Sequence, residues 1–94
     1  MTEKSIEARL GEMLRAQGCL YYKFVSPGNA GVPDRIVVCP DGEVWFVELK
    51  RPSGRLAAVQ SVQQSRLKAH GANVARVWSM EDAARFARER RTGG

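Results

Sequence analysis

Three charged residues stand in or beside two otherwise apolar segments of this chain. Asp34 precedes the apolar residues 36–38, and Glu48 and Lys50 end the run that begins Val44-Trp45-Phe46. Segments of this composition favour buried β-strands, where an unpaired ion costs several kcal/mol. A divalent cation held by the carboxylates would remove that penalty, since hard cations prefer oxygen ligands. The pattern therefore points to a metal site built by two strands.

The turn between the segments decides whether the carboxylates meet. Residues 39–42 read Cys-Pro-Asp-Gly, which fits a type I turn followed by a left-handed glycine, a three-residue loop that pairs residue 39 with 43. In that register Asp34 lies directly opposite Glu48, with Lys50 on the same face. A two-residue Asp-Gly loop would instead pair 40 with 43 and separate the carboxylates. We prefer the first because Pro40 fits its second position and because it brings like charges together, an arrangement that only a bound ligand would favour.

Length and charge restrict the function classes. The 94 residues predict one domain over 1–94, with a core at about 3–90 and a frayed tail at 91–94. A net charge of +5 favours a nucleic-acid partner. Cys19 and Cys39 lack metal-ligand spacing and are expected as buried free thiols. No run has membrane-spanning length and no signal peptide is apparent, so a cytosolic protein is expected.

The order of periodic segments predicts an α/β fold. A helix with an apolar stripe is expected first, then a strand, the hairpin with both faces covered, a second helix, a strand parallel to its predecessor and a short last helix. In that last helix the arginines, Arg90 included, should point mostly outward. The segments are residues 2–17, 19–25, 34–50, 56–70, 73–78 and 79 onward.

Several motifs together resemble a known family. The order α-β-β-β-α-β, with Pro-Asp opening one strand and Glu-x-Lys closing the next, resembles the PD-(D/E)xK restriction-endonuclease-like superfamily. A more specific similarity, over roughly residues 5–80, is to the VRR-NUC family, in particular its stand-alone phage members. It is carried by Gly31-Val32-Pro33-Asp34-Arg35, Val47-Glu48-Leu49-Lys50, Gly54-Arg55-Leu56, Gln60 seven residues before Leu67, and Gly71-Ala72-Asn73-Val74.

The resemblance implies a mixed sheet flanked by helices and a set of roles. Asp34, Glu48 and the backbone carbonyl of Leu49 would hold Mg²⁺ or Mn²⁺ for phosphodiester hydrolysis. Lys50 would orient or deprotonate the attacking water. Two helix residues would complete the catalytic set: Glu7, directly or through water and with a possible second metal, and Gln60, which could position Lys50 or a phosphate.

Simpler interpretations stay open for the helix residues. Glu7 could be a solvated residue favoured by the helix dipole. Gln60, Gln63 and Gln64 could form a plain polar helix face, and of the three only Gln60 matches the family spacing. Five basic residues are candidate DNA phosphate contacts, although each could equally be solvated surface: Arg35, Arg51, Arg55, Arg66 and Lys68.

The function expected from this resemblance is a metal-dependent DNA endonuclease that selects structure rather than sequence. Stand-alone members resemble Holliday-junction resolvases, which implies a homodimer on four-way junctions and, for a phage protein, the bacterial host cytosol. Alternatives are a flap or general duplex nuclease, or a catalytically silent DNA-binding module.

Overall fold

The structure is a computed structural model that describes residues 2–91, so most of the expected frayed tail lies outside the described residues. Its order is α-β-β-β-α-β-α, as the sequence predicts. Thr2 caps the first helix, where its hydroxyl accepts a hydrogen bond from the Ser5 N–H at 3.0 Å. The elements are α1 (Glu3–Ala16), β1 (Leu20–Lys23), β2 (Arg35–Val38), β3 (Val44–Leu49), α2 (Ala58–Ala69), β4 (Asn73–Val77) and α3 (Met80–Glu89).

The four strands form one mixed sheet in the order β1-β2-β3-β4, with β4 parallel to β3 and the other pairs antiparallel. Val37 pairs with Trp45, which is the register of the three-residue loop. The Cys39 N–H donates to the Glu43 carbonyl at 2.8 Å, and Gly42 has φ +90°. The predicted hairpin register, that of the three-residue loop, is confirmed.

Helices α1 and α3 cover one face of the sheet. Ile6, Leu10 and Leu14 of α1 are fully buried there with Val37 and Val47 of the hairpin. These apolar contacts are the main source of stability for a chain of this size.

One arginine of α3 is packed rather than outward. The Arg90 guanidinium lies 4.2 Å from the Trp45 ring centroid and 4.9 Å from that of Phe86, and its side chain is 14% exposed. The predicted outward direction is therefore wrong for Arg90, because a guanidinium can stack on aromatic faces while keeping its charge near the surface.

The opposite face is only partly covered, which corrects the expectation that both faces would be buried. Helix α2 packs against β4 on this side. Over β1 and the hairpin, Leu20, Tyr22 and Val44 keep 46%, 57% and 39% of their surface exposed. The sequence misleads here because strong β-formers also occur in half-open sheets.

Cys19 and Cys39 are buried and free, as predicted. Within residues 2–91 no helix is both long and apolar enough to cross a membrane.

Gly31 lets the chain approach the start of α2. Its φ is +86°, and a Cβ there would lie 2.5 Å from the Val59 carbonyl oxygen. Only glycine satisfies both the backbone angle and the contact. The loop before Asp34 is thereby set against the first turn of α2.

Gly31→Ala should destabilise the protein more than Gly28→Ala. Gly28 has a similar φ of +81° with nothing within 4 Å of its Cβ position, so alanine there carries only the left-handed strain of roughly 1–2 kcal/mol. The clash at Gly31 adds to that strain and should shift α2. Urea unfolding of both variants measures the difference. Equal losses in the free energy of unfolding would show that the close approach at Gly31 contributes nothing to stability.

Candidate active site

Asp34 is held at both its backbone and its side chain. Its carbonyl accepts a hydrogen bond from the Phe24 N–H at 2.9 Å, just beyond the end of β1. Its Oδ2 accepts one from the Leu49 N–H at 2.8 Å. The carboxylate is therefore fixed between the end of β3 and the start of β2.

Glu48 is a buried carboxylate, 1% exposed, and the hairpin register sets it opposite Asp34. Lys50 Nζ lies 3.7 Å from its Oε2, and Gln60 Nε2 donates to the same oxygen at 3.2 Å. Burial, and next the nearby charge of Asp34, raise the pKa of Glu48 to about 8, with Lys50 acting in the opposite direction. Both the charge of Asp34 and hydrogen bonding to it favour the protonated form of the Glu48 carboxyl when no cation is present.

The proline beside Asp34 leaves a backbone oxygen available. In the hairpin, the pairs formed by odd-numbered residues exchange backbone N–H···O hydrogen bonds. The bond from the Cys39 N–H to the Glu43 carbonyl establishes this alternation. Two residues beyond Arg35–Val47, the same register sets Pro33 opposite Leu49. Proline has no N–H to donate. The Leu49 carbonyl therefore receives no ladder hydrogen bond from that position, while the N–H of the same residue donates to Asp34 Oδ2.

The donors fit a hard divalent cation. Two carboxylates and one backbone carbonyl are the oxygen ligands that Mg²⁺ and Mn²⁺ prefer, and a cation would relieve the repulsion that raises the Glu48 pKa. Within residues 2–91 no three His, Cys, Asp or Glu side chains converge on one point. The Leu49 carbonyl, with water or a phosphate oxygen, would thus have to complete the coordination sphere.

Glu7 and Arg35, two predicted site residues, contact each other. Arg35 Nε donates to Glu7 Oε2 at 2.7 Å, with side chains 14% and 23% exposed. The Arg35 guanidinium also lies over the Tyr21 ring at 4.4 Å, and the Tyr21 hydroxyl donates to the Glu7 carbonyl at 2.9 Å. The Glu7 charge is thus balanced by Arg35 rather than joined to Asp34 and Glu48.

The other basic residues divide into two groups. Lys50, Arg51 and Arg55 line a cavity of about 520 Å³ together with the start of α1, including Glu3 and Lys4. Arg66 and Lys68 are exposed farther along α2. The structure thus brings Arg51 and Arg55, but not Arg66 and Lys68, to the side of the carboxylates. Sequence reasoning missed Lys4, which no motif distinguishes from other surface lysines.

Two glutamines of α2 face Glu48. Gln60 accepts the Ala57 N–H through its side-chain oxygen at 2.8 Å while its amide nitrogen contacts Glu48. Gln64 is fully buried, with its Nε2 3.5 Å from Glu48 Oε1. Its Oε1 accepts a hydrogen bond from Arg76 Nε of β4 at 2.6 Å. A plain polar face is therefore wrong for Gln64, and its spacing four residues after Gln60 was the available signal.

The fold and site together define a nuclease-like domain with an acidic pair and a lysine at one end of a hairpin. The solved structure of a "VRR_NUC domain" superposes with a TM-score of 0.86 at 29% identity, covering 94% of this chain and 97% of that one. A phage protein described as "Putative nuclease p44", from Acyrthosiphon pisum secondary endosymbiont phage 1, is 46% identical over 72 residues, 77% of each chain. No family model matches the sequence. The chain belongs to the VRR-NUC family of nuclease domains, as its motifs indicate.

In chelator, the free energy of unfolding should fall as pH rises from about 5 to 8. The folded-state pKa of Glu48, about 8, exceeds its ordinary value of 4.5, so the folded protein binds an extra proton in this range. In the unfolded chain Glu48 ionises at a lower pH than in the folded protein. The stability present at low pH is therefore lost as the pH rises toward the folded-state pKa, by on the order of a few kcal/mol. Urea titrations at several pH values measure the slope. Glu48→Gln should flatten it, and a slope that persists unchanged in this variant would contradict the assignment.

Proposed function

We propose that this protein is a metal-dependent DNA endonuclease that hydrolyses phosphodiester bonds in branched DNA. The observation that carries the proposal is the buried Glu48 carboxylate opposite Asp34, with Lys50 3.7 Å away and a basic cavity alongside. A binding module has no need for opposed carboxylates, which repel phosphate. Hydrolysis needs them to hold a cation next to the scissile bond.

Each residue of the site has a task in this proposal. Asp34, Glu48 and the Leu49 carbonyl would hold Mg²⁺ or Mn²⁺. When bound, such a cation stabilises the charge that develops on the phosphoryl and leaving oxygens. Lys50 orients the attacking water and offsets negative charge in the transition state. Gln60 holds one Glu48 oxygen and keeps α2 against the site.

Glu7 is not assigned as a ligand of this cation. It would join the carboxylates at a second cation only by giving up its ion pair with Arg35. We therefore propose Asp34, Glu48 and Leu49 as the ligands of one cation, with Glu7 remaining paired to Arg35.

The basic cavity supports a path for the substrate. Arg51 and Arg55 are exposed beside Lys50, and no ion pair within residues 2–91 uses either of them. Their charges are available to DNA phosphates flanking the scissile bond, and Lys4 lines the same cavity.

A symmetric homodimer would supply the second site that a four-way junction requires. Each chain carries one acidic pair, while resolution needs two cuts related by the two-fold symmetry of the junction. The exposed apolar strip of Leu20, Tyr22 and Val44 lies on the sheet face that bears Glu48. This strip supports self-association, since adjoining exposed apolar side chains often mark protein–protein contacts.

Lys50→Ala should separate catalysis from binding. Lys50 acts mainly in the transition state, so cleavage of a labelled four-way junction in Mn²⁺ should fall by orders of magnitude while DNA affinity changes little. Asp34→Asn should also abolish the rise in melting temperature that Mn²⁺ gives the wild type. Cleavage of junctions, flaps and plain duplex is measured with Mg²⁺, Mn²⁺ or chelator. Wild-type cleavage in chelator would exclude the metal mechanism, and DNA binding without cleavage in any metal would favour the silent module.

Tyr22→Glu should convert the dimer into a monomer. The carboxylate would be buried against the second copy, so sedimentation at micromolar concentration should give the monomer mass, and junctions should be nicked rather than resolved by paired cuts. Val62→Glu, at an apolar residue 54% exposed on α2, is the matched control. A wild-type protein that is monomeric with and without DNA would contradict the symmetric arrangement and favour single incision at a flap.

A further inference from the structure

A chain of polar contacts runs from the edge of the sheet to the buried Glu48 carboxylate. Glu48 and Arg76 are partners in the parallel β3–β4 pair, so both side chains emerge on the face below α2. Gln64 lies between them and is fully buried. It contacts Arg76 at 2.6 Å and Glu48 at 3.5 Å.

The chemistry of the three groups fixes the direction of the chain. A guanidinium only donates hydrogen bonds, so Gln64 must turn its oxygen toward Arg76. Its NH₂ group then points at Glu48, which accepts. An amide with apolar neighbours could rotate by 180°, but Arg76 removes that freedom. Arg76 thereby ensures that Glu48 Oε1 meets a donor and never an acceptor.

We propose that Gln64 and Arg76 are positioning residues that hold the Glu48 carboxylate in its ligand orientation and raise the affinity of the site for divalent cations. The inference rests on the proposed function, because it assumes that Glu48 binds a cation. Gln60 holds Oε2 and Gln64 holds Oε1, so the two glutamines together set the plane of the carboxylate. Groups that orient a ligand in this way typically change metal affinity or activity by about 10–100-fold.

Gln64→Leu should weaken Mn²⁺ binding about tenfold or more, the lower end of that range. Binding is measured without DNA, by calorimetry on the protein alone. Cleavage in saturating Mn²⁺ should return to within a few-fold of the wild type, because the ligand itself remains. Gln63→Leu is the matched control, since Gln63 stands next in the helix and has no contact with Glu48 among the hydrogen bonds of residues 2–91. Equal Mn²⁺ affinity in the two variants would overturn the proposal.

Arg76→Met provides an independent test should Gln64→Leu fail to fold, because Arg76 is exposed. It should weaken Mn²⁺ binding in the same direction by a few-fold. The double variant should bind no more weakly than Gln64→Leu alone, because Arg76 acts only through Gln64. Unchanged binding in Arg76→Met, or additive losses in the double variant, would overturn the proposal.

These experiments separate the two levels of inference. A wild-type protein that binds no Mn²⁺ would overturn both the proposed function and the role of Gln64. A wild type that binds Mn²⁺ and loses it in Asp34→Asn, but not in Gln64→Leu, would leave the function standing and remove only the positioning role.

Discussion

The burial of the Glu48 carboxylate is the constraint on which the arrangement of the surrounding polar side chains depends. Glu48 lies near the end of the interior strand β3 with almost no solvent contact, where an ionised group costs several kcal/mol unless it is paired. The groups that face it come from different parts of the chain: Asp34 precedes β2, Lys50 follows β3, and Gln60 and Gln64 belong to α2. The placement of α2 is therefore tied to the charge of Glu48 as well as to apolar packing.

The two faces of the sheet have separate physical tasks. Under α1 and α3 the core contacts are apolar, with Val37 and Val47 fully buried, and the Glu7–Arg35 ion pair also lies on this side. On the other face α2 covers the polar centre and leaves Leu20 and Tyr22 open. The apolar core and the candidate active site thus lie on opposite sides of one hairpin. Because the core lies on the other side, the face that bears Glu48 can hold two carboxylates close together.

The short motif before β2 combines two backbone effects with one side-chain hydrogen bond. Gly31 permits the close approach of α2, Pro33 withholds the hydrogen bond that would occupy the Leu49 carbonyl, and Asp34 takes the Leu49 N–H with its side chain. Arg35 then pairs with Glu7 of α1. Pro33 and Asp34 therefore shape the site without regular pairing to β3, and β2 begins at Arg35, which pairs with Val47.

The sequence by itself determined the hairpin register, the order of elements and the convergence of Asp34, Glu48 and Lys50. These features depend on turn chemistry and on the period-two alternation of strands, both local properties. The tertiary structure decided that Arg35 pairs with a residue 28 positions away, and that Gln64 turns inward to meet Arg76 12 positions later. Such contacts depend on the rotation of each helix about its axis and on which strand it covers. Packing of the whole chain sets both, and local periodicity does not encode them.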